Sequence, residues 1–301
     1  MHTPLTSTPL GDTLATLMAP LVPHEGSVTT ALPRVSLFGI RCHLPRTPLI
    51  YEPSLIIIAK GRKVGYLGQR EIHYDPDHYL VQTLPLPFEC ESFGTPEIPL
   101  LGIAITFDPA LLSELVMAIA YDDAQSEPLR PMDSVAMTSA MHEAVTRLLS
   151  TLHDPVACRA MGDARTREVM FEALKGEQQS ALRAMVQGQG HYARIVQVVS
   201  QLHTEYAQEM SVEALATRAH MSPSAFHQHF KRITHASPVQ YLKRLRLIKA
   251  QQLLQQPDVN VGLAAQQVGY RSAAQFSRDY KRYFGVTPLK HRRDERALET
   301  L

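Results

Sequence analysis

Two stretches near the carboxyl terminus decide the fold. Residues 211–238 read SVEALATRAHMSPSAFHQHFKRITHASP, and residues 260–288 read NVGLAAQQVGYRSAAQFSRDYKRYFGVTP. Phe226 in the first stretch matches Phe276 in the second at an offset of 50 residues, and the offset is 49 in the earlier half of each stretch. One inserted residue near Arg271, inside a turn, accounts for the change of offset. The chain therefore contains a duplicated unit.

Each copy has the parts of a helix-turn-helix motif. Ser211 and Asn260 are N-cap residue types that precede a short apolar helix. A second helix opens at Ser222-Pro223 in the first copy and at Ser272 in the second. In that second helix, two aromatic residues four positions apart predict a buried face. The pairs are Phe226 with Phe230, and Phe276 with Tyr280.

The opposite face of each second helix is expected to enter a major groove of DNA. It presents Ser224, His227 and Gln228 in the first copy, and Ala273, Ala274, Ser277 and Arg278 in the second. Residues 237–256 lie between the copies and predict a long apolar helix that carries Lys243, Arg244, Arg246 and Lys249. Such a rigid basic connector sets the distance between the motifs, and successive major grooves are roughly 34 Å apart.

The charge distribution divides the chain in the same way. Residues 191–301 contain 16 Lys and Arg against 8 Asp and Glu, whereas residues 1–190 contain 14 against 21. A basic module joined to an acidic one indicates that one module meets nucleic acid, although an unevenly charged but solvated surface is the alternative. The hydrophobic fraction of 45% excludes a mainly disordered or fibrous chain.

Residues 193–293 resemble the DNA-binding domain of the AraC/XylS family of bacterial transcription regulators. The stretches that carry the resemblance are 211–216, 221–222, 226–231, 246–254, 268–270, 276–285 and 287–288. His235 departs from the family pattern, which usually has glycine there, so we expect a strained turn. His291 stands where tyrosine is common.

The resemblance implies which residues contact DNA. Base contacts are expected from Ser224, His227, Gln228, Arg271, Ala273, Ala274, Ser277 and Arg278. Arg278 is the strongest candidate because arginine pairs bidentately with guanine. Phosphate contacts are expected from Ser222, Lys231, Arg232, Ser272, Lys281 and Arg282. For each basic residue, a solvated helix face is the alternative.

The amino-terminal half has a different pattern. From Arg34 to Phe107, short apolar runs separated by turns predict six to eight strands in a sandwich or small barrel, with a hairpin across Gly68-Gln69. After Asp108-Pro109 the spacing becomes helical. A short helix or loose arm is expected around residues 14–21, helices at 137–152, 165–174 and 177–187, a polar loop at 121–135, and a linker at 188–190.

Residues 20–150 resemble the cupin-like sensor module of one AraC-type subgroup, on the strength of residues 51–55, 60–63 and 79–81. That resemblance implies a jelly-roll pocket for a small effector, followed by helices that form a dimer interface or pack on the barrel. The expected fold class is α+β, with a cupin-like β-barrel and appended helices in residues 1–190. Residues 191–301 are expected to form an all-α DNA-binding domain. No effector-binding residue can be named, because the register of the strands is uncertain.

Two alternative functions, a thiol sensor and a cupin-type enzyme, depend on the cysteines and histidines. Cys42, Cys90 and Cys158 are odd in number and far apart, which argues against a disulfide framework. Cys42 or Cys90 is a candidate thiol sensor of oxidants or electrophiles, or simply a small hydrophobe. His43, His73 and His78 do not form the spacing of a metal site, so we expect no metal, no cofactor and no enzyme. A cupin-type enzyme with a DNA-binding tail is the other alternative.

The expected partners are double-stranded DNA, a small-molecule effector and a second copy of the chain, with RNA polymerase as a further candidate. No window of 18 consecutive apolar residues predicts a transmembrane helix, and the first residues lack the pattern of a signal peptide. We therefore expect a cytoplasmic protein that does not bind membranes.

Overall fold

The computed structural model describes residues 9–119, 129–187 and 190–292. These residues form two compact units. One unit contains the chain up to Arg46, Tyr51–Pro85 and Cys90–Ala193, and the other contains Thr47–Ile50, Leu86–Glu89 and the chain from Arg194 onward.

Ten strands lie within the described residues, and eight of them fall between Arg34 and Phe107, so the six to eight strands predicted for that range are confirmed. They are β1 (Gly26–Thr29), β2 (Val35–Ile40), β3 (Leu44–Leu49), β4 (Ser54–Lys60), β5 (Arg62–Leu67), β6 (Arg70–Tyr74), β7 (His78–Gln82), β8 (Phe88–Phe93), β9 (Leu100–Thr106) and β10 (Met132–Ala136). One sheet has the order β1-β2-β9-β4-β7-β10, and the other has the order β3-β8-β5-β6.

Strand β4 lies inside the larger sheet because its sequence is apolar on both faces. It reads SLIIIAK and is buried at every position but the last. Both of its neighbours, β7 and β9, run antiparallel to it. Leu55 and Ile57 belong to one core cluster with Leu14 and Met18, which lie on the first helix.

The predicted hairpin is confirmed. Strands β5 and β6 pair antiparallel, with Lys63 opposite Tyr74 and Leu67 opposite Arg70. The turn uses Gly68 at a φ of +65°, a left-handed conformation that glycine adopts without a steric penalty.

Helices cover one face of the larger sheet. They are α1 (Pro9–Met18), which continues as a short 3₁₀ turn over Ala19–Leu21, then α2 (Pro109–Ala118), α3 (Ser139–Leu152), α4 (Pro155–Leu174) and α5 (Gln179–Val186). The side chains of Asp108 and Asp154 accept hydrogen bonds from the first backbone amides of α2 and α4. Each is followed by proline in the first helical turn, where the missing N–H costs nothing.

Two sequence expectations in this region are wrong in detail. Helix α4 starts ten residues before the predicted helix at Arg165. The expected polar loop at 121–135 includes strand β10, which pairs with β7, while residues 120–128 lie outside the described residues. Residues 188 and 189 of the expected linker also lie outside them, and Gly190 begins a helix.

The described chain from Arg194 onward, which makes up most of the second unit, is helical. The helices are α6 (Gly190–Glu205), whose first four residues belong to the first unit, and then α7 (Val212–Arg218), α8 (Pro223–Thr234), α9 (Pro238–Leu254), α10 (Val261–Gln267) and α11 (Ala273–Phe284). Helix α9 begins with a capping box, in which Ser237 and Gln240 each accept the other's backbone N–H. The α+β class, with two helix-turn-helix motifs joined by a long helix, is confirmed. Across the described ranges, none of the helices has both the length and the apolar character needed to cross a membrane.

Candidate nucleic-acid interface

The first motif consists of α7 and α8. The Ser222 hydroxyl accepts the Ala225 N–H at 3.3 Å, and Pro223 occupies the first turn of α8. Phe226 and Phe230 are fully buried, with ring centroids 5.4 Å apart. Because this pair faces the core, the opposite side of α8 must face solvent, and Ser224, His227 and Gln228 are indeed exposed.

The second motif, α10 and α11, repeats this arrangement. Phe276 and Tyr280 are fully buried with ring centroids 5.5 Å apart, so the buried aromatic pair predicted for each motif is confirmed. On the opposite side, Ala273, Ala274 and Arg278 are exposed and Ser277 is half-buried. The Arg278 side chain forms no ion pair with any residue that the structure describes.

Arg271 precedes α11 and differs from Arg278. Its guanidinium lies 2.5 Å from a carboxylate oxygen of Glu209. Both side chains are more than three-quarters exposed, and an exposed pair contributes at most about 1 kcal/mol. The pair is therefore weak enough for a DNA base or phosphate to displace Glu209.

The six predicted phosphate contacts divide into three kinds. The hydroxyls of Ser222 and Ser272 accept backbone N–H groups as N-caps, and each keeps its own O–H as a donor. Lys231 and Lys281 are exposed. The two arginines have protein partners, since Arg232 donates to His229 Nδ1 at 2.9 Å and Arg282 donates to Asp279 at 2.7 Å.

Asp279 is a charged residue that the sequence analysis overlooked. It is 8% exposed, and its Oδ1 lies 2.7 Å from both Lys243 Nζ and the Arg282 guanidinium. The Tyr270 hydroxyl donates to Oδ2 at 3.4 Å, and burial together with this carboxylate raises the pKa of Tyr270. Asp279 therefore joins α9 and α11 and neutralises part of the basic surface. Lys243 belongs to this pair, not to an open basic connector.

Arg246, also predicted as part of the basic connector, points inward. Its guanidinium donates to the carbonyl oxygens of Tyr206 at 2.7 Å, Gln208 at 2.8 Å and Gly269 at 3.3 Å. Burial lowers its pKa. Because one side chain bonds the segment before the first motif and the turn of the second, Arg246 fixes the two motifs relative to each other.

The turns of the two motifs use the same backbone conformation with different residues. His220 and His235 adopt φ angles of +51° and +56°, and Gly269 and Gly285 occupy the matching positions of the second copy at +82° and +76°. The strain expected at His235 is therefore present. A side chain at Gly269 would overlap the Ala207 backbone carbonyl, whereas the space around Gly285 is open.

The surroundings of the three cysteines do not favour the alternative of a thiol sensor. Cys42 is exposed, but partial burial and the nearby Glu25 raise the pKa of its thiol, which disfavours the reactive thiolate. Cys90 and Cys158 are buried, and none of the three is in a disulfide. Among the described residues, no group of three or more His, Cys, Asp or Glu side chains could hold a metal ion.

Comparison with known proteins identifies the family. The sequence model described as "AraC-type transcriptional regulator N-terminus" matches residues 31–181, which is half of the chain. The chain belongs to the AraC family of transcriptional regulators. A second model, for a helix-turn-helix domain, matches residues 215–294.

Individual relatives agree with this assignment. The transcriptional activator RhaS of Escherichia fergusonii is 31% identical over 151 residues, covering 49% of this chain and 53% of RhaS. The activator RclR of Escherichia coli is 34% identical over 107 residues, covering 36% of this chain and 38% of RclR. The chain thus spans about half or less of the length of these curated relatives. ToxT from Vibrio cholerae shares the fold with a TM-score of 0.58 at 9% identity, covering 89% of this chain and 97% of ToxT.

Proposed function

We propose that this chain is a sequence-specific DNA-binding transcriptional regulator, in which α8 and α11 enter successive major grooves. The observation that supports this most strongly is the duplicated motif itself. Each copy buries an aromatic pair and exposes the opposite face of its second helix, and α9 with Arg246 holds the copies together. Two recognition helices held at a fixed separation are suited to successive major grooves of B-DNA, which are roughly 34 Å apart.

The exposed faces of the two helices supply the base contacts in this proposal. They are Ser224, His227 and Gln228 on α8, Arg271 before α11, and Ala273, Ala274, Ser277 and Arg278 on α11. Arg278 reads guanine because its guanidinium is exposed and can pair with O6 and N7 together. Ala273 and Ala274 are suited to a thymine methyl group.

Phosphate contacts position the protein without selecting a sequence. In this proposal Lys231, Lys281 and the hydroxyls of Ser222 and Ser272 provide them directly. Arg232 and Arg282 contribute when their exposed guanidinium groups turn from His229 and Asp279 towards DNA.

We further propose that residues 1–190 form an effector-sensing domain and residues 191–301 the DNA-binding domain, in a homodimer that acts in the cytoplasm and contacts RNA polymerase. Exposed apolar side chains on α4, namely Val156, Met161 and Phe171, support a second copy as a partner. ToxT, which shares the fold, has been solved with a bound unsaturated fatty acid, and this supports a small-molecule effector here. The effector regulates by preferring one of two conformations.

The test compares two substitutions on one helix. Fragments of genomic DNA are captured with wild type, Arg278→Ala and Lys281→Ala, and the enriched sites are then titrated over a range of KCl concentrations. Arg278→Ala should lose preference at one base pair, about 1–3 kcal/mol. Lys281→Ala should weaken all sequences alike and reduce the slope of log K against log salt by about 0.9. Enrichment of no sequence by the wild type, with and without candidate effectors, would refute the proposal.

A further inference from the structure

A cavity of about 430 Å³ lies in the first unit, on the side of the larger sheet that the helices cover. Its walls come from the start of β2, the end of β9, the first turn of α2 and the middle of α4. Leu32, Val35, Leu111 and Met170 supply its apolar surface, and all four belong to the main core cluster of this unit or pack against it. The cavity is therefore separate from the space between the two sheets, and its volume is typical of a site for a small molecule.

Hydrogen bonds and close packing fix the walls of this cavity. The Thr30 hydroxyl donates to the Val35 carbonyl oxygen at 2.8 Å and holds the turn that precedes β2. The Asp108 carboxylate accepts a backbone N–H from the first turn of α2 at 2.9 Å. Gly162 on α4 packs directly against Leu32, because an added Cβ would overlap the Leu32 side chain. A ligand that enters therefore meets a preformed site and loses little binding energy to reorganisation.

Three of the four charged side chains that line the cavity have protein partners. The Arg34 guanidinium lies 3.1 Å from an Asp108 carboxylate oxygen and donates to the Phe107 carbonyl oxygen at 3.3 Å. The Arg167 guanidinium donates to Glu114 at 2.9 Å, and this hydrogen bond lowers the pKa of Glu114. Each arginine is thus matched by one carboxylate.

Asp163 is the fourth charged side chain of the cavity. It is exposed on α4 and forms no ion pair with any residue that the structure describes. When Glu114 is counted with the lining residues, three carboxylates face two guanidinium groups, so one negative charge is left unbalanced. An unbalanced carboxylate beside an apolar surface is complementary to an organic cation.

We propose that this cavity binds an organic amine in its ammonium form, which pairs with the Asp163 carboxylate while its apolar part lies along Leu32, Leu111 and Met170. The Thr166 hydroxyl donates to the carbonyl oxygen one turn earlier on α4, and its own oxygen remains a further acceptor for the ammonium. An organic acid is disfavoured, because Asp163 repels it and both arginines are already paired. The inference names the chemical class of the effector, and in that respect it rests on the proposed function.

The first test is thermal unfolding of the full chain with hexylamine and benzylamine, against hexanol and benzyl alcohol as uncharged analogues and hexanoate as an acid. The amines should raise the Tm in proportion to the logarithm of their concentration, and the alcohols and the acid should not. Asp163→Asn should abolish the shift. Asp77→Asn, which removes an exposed aspartate of the same unit that does not line the cavity, should retain it. The shift should shrink at high KCl, because salt screens an exposed ion pair.

A second variant tests the cavity and leaves its charge unchanged. Ala164 lines the cavity from an exposed position on α4, so Ala164→Leu fills part of the space with little change in the unliganded Tm. This variant should lose the response to both amines. The proposal fails if neither amine shifts the wild type, if the alcohols act equally, or if Asp163→Asn or Ala164→Leu responds as the wild type does. All measurements are made without DNA, so a failure of DNA binding would refute the proposed function and leave this result standing.

Discussion

Asp279 offers the sharpest test of how charge is arranged on the second recognition helix. Asp279→Asn keeps the shape of the side chain and removes its negative charge. In the wild type, one carboxylate oxygen lies 2.7 Å from Lys243 Nζ and from the Arg282 guanidinium, and the residue is 8% exposed. The substitution therefore releases two cations and leaves a neutral amide between them.

Stability and DNA binding should change in opposite directions. The Lys243 side chain is about one-third exposed, so loss of its charged hydrogen bond should cost about 1.5–3 kcal/mol of unfolding free energy. Arg282 is mostly exposed, and its pair should contribute no more than about 1 kcal/mol. Binding to non-specific DNA should tighten, and its salt slope should steepen by about 0.9 for each released cation that reaches a phosphate.

Urea denaturation and fluorescence anisotropy with a non-specific duplex at several KCl concentrations measure the two effects. Asp258→Asn is the matched control, because it makes the same change of net charge at an exposed residue of the same unit. Equal DNA affinities and salt slopes for the two variants would show that Asp279 does not mask Lys243 and Arg282. An unfolding free energy equal to that of wild type would refute its structural role.

Three further predictions concern the turns and Arg246, and urea denaturation measures all of them. Gly285→Ala should lower the free energy of unfolding by no more than about 1 kcal/mol, because left-handed strain is partly offset by a less flexible unfolded chain. Gly269→Ala should lower it by more than about 2 kcal/mol, because the added Cβ overlaps the Ala207 carbonyl. Equal losses for the two variants would contradict this. His235→Gly should be neutral or stabilise by up to about 1 kcal/mol, and a clear loss would show that the His235 side chain has a role of its own. Arg246→Met should cost about 2–3 kcal/mol by leaving backbone carbonyls without their charged donor, and a cost below about 1 kcal/mol would mean that water replaces the guanidinium.

Local signals in the sequence were sufficient to predict the two helix-turn-helix motifs of the second unit. Serine and asparagine N-caps and an aromatic pair four residues apart act within one helix or one turn, and both the caps and the buried pairs are confirmed. The partners of Asp279 could not be found in this way. Lys243 lies 36 residues earlier in the chain, and no periodic pattern indicates which acidic residue it meets.

The first unit was harder to predict because its strands depend on distant neighbours. Strand β3 contains two prolines, and β10 is a short strand that pairs with β7, which lies about fifty residues earlier in the chain. The start of α4 was missed for a different reason. Asp154-Pro155 repeats the cap signal of Asp108-Pro109, but the following turns are small and polar and show no amphipathic stripe. At this position the N-cap signal predicts the start of the helix better than the hydrophobic pattern does.

The three carbonyls held by Arg246 limit how far the two motifs can be treated as portable modules. A chimera that grafts the first motif onto another regulator separates the Arg246 guanidinium from the Gly269 carbonyl, and one that takes only the second motif loses the acceptors at Tyr206 and Gln208. Engineered operator specificity should therefore be pursued by exchanging exposed side chains of α8 or α11 within the intact pair. A chimera whose grafted segment begins before Tyr206 would keep Arg246 together with all three of its carbonyl acceptors.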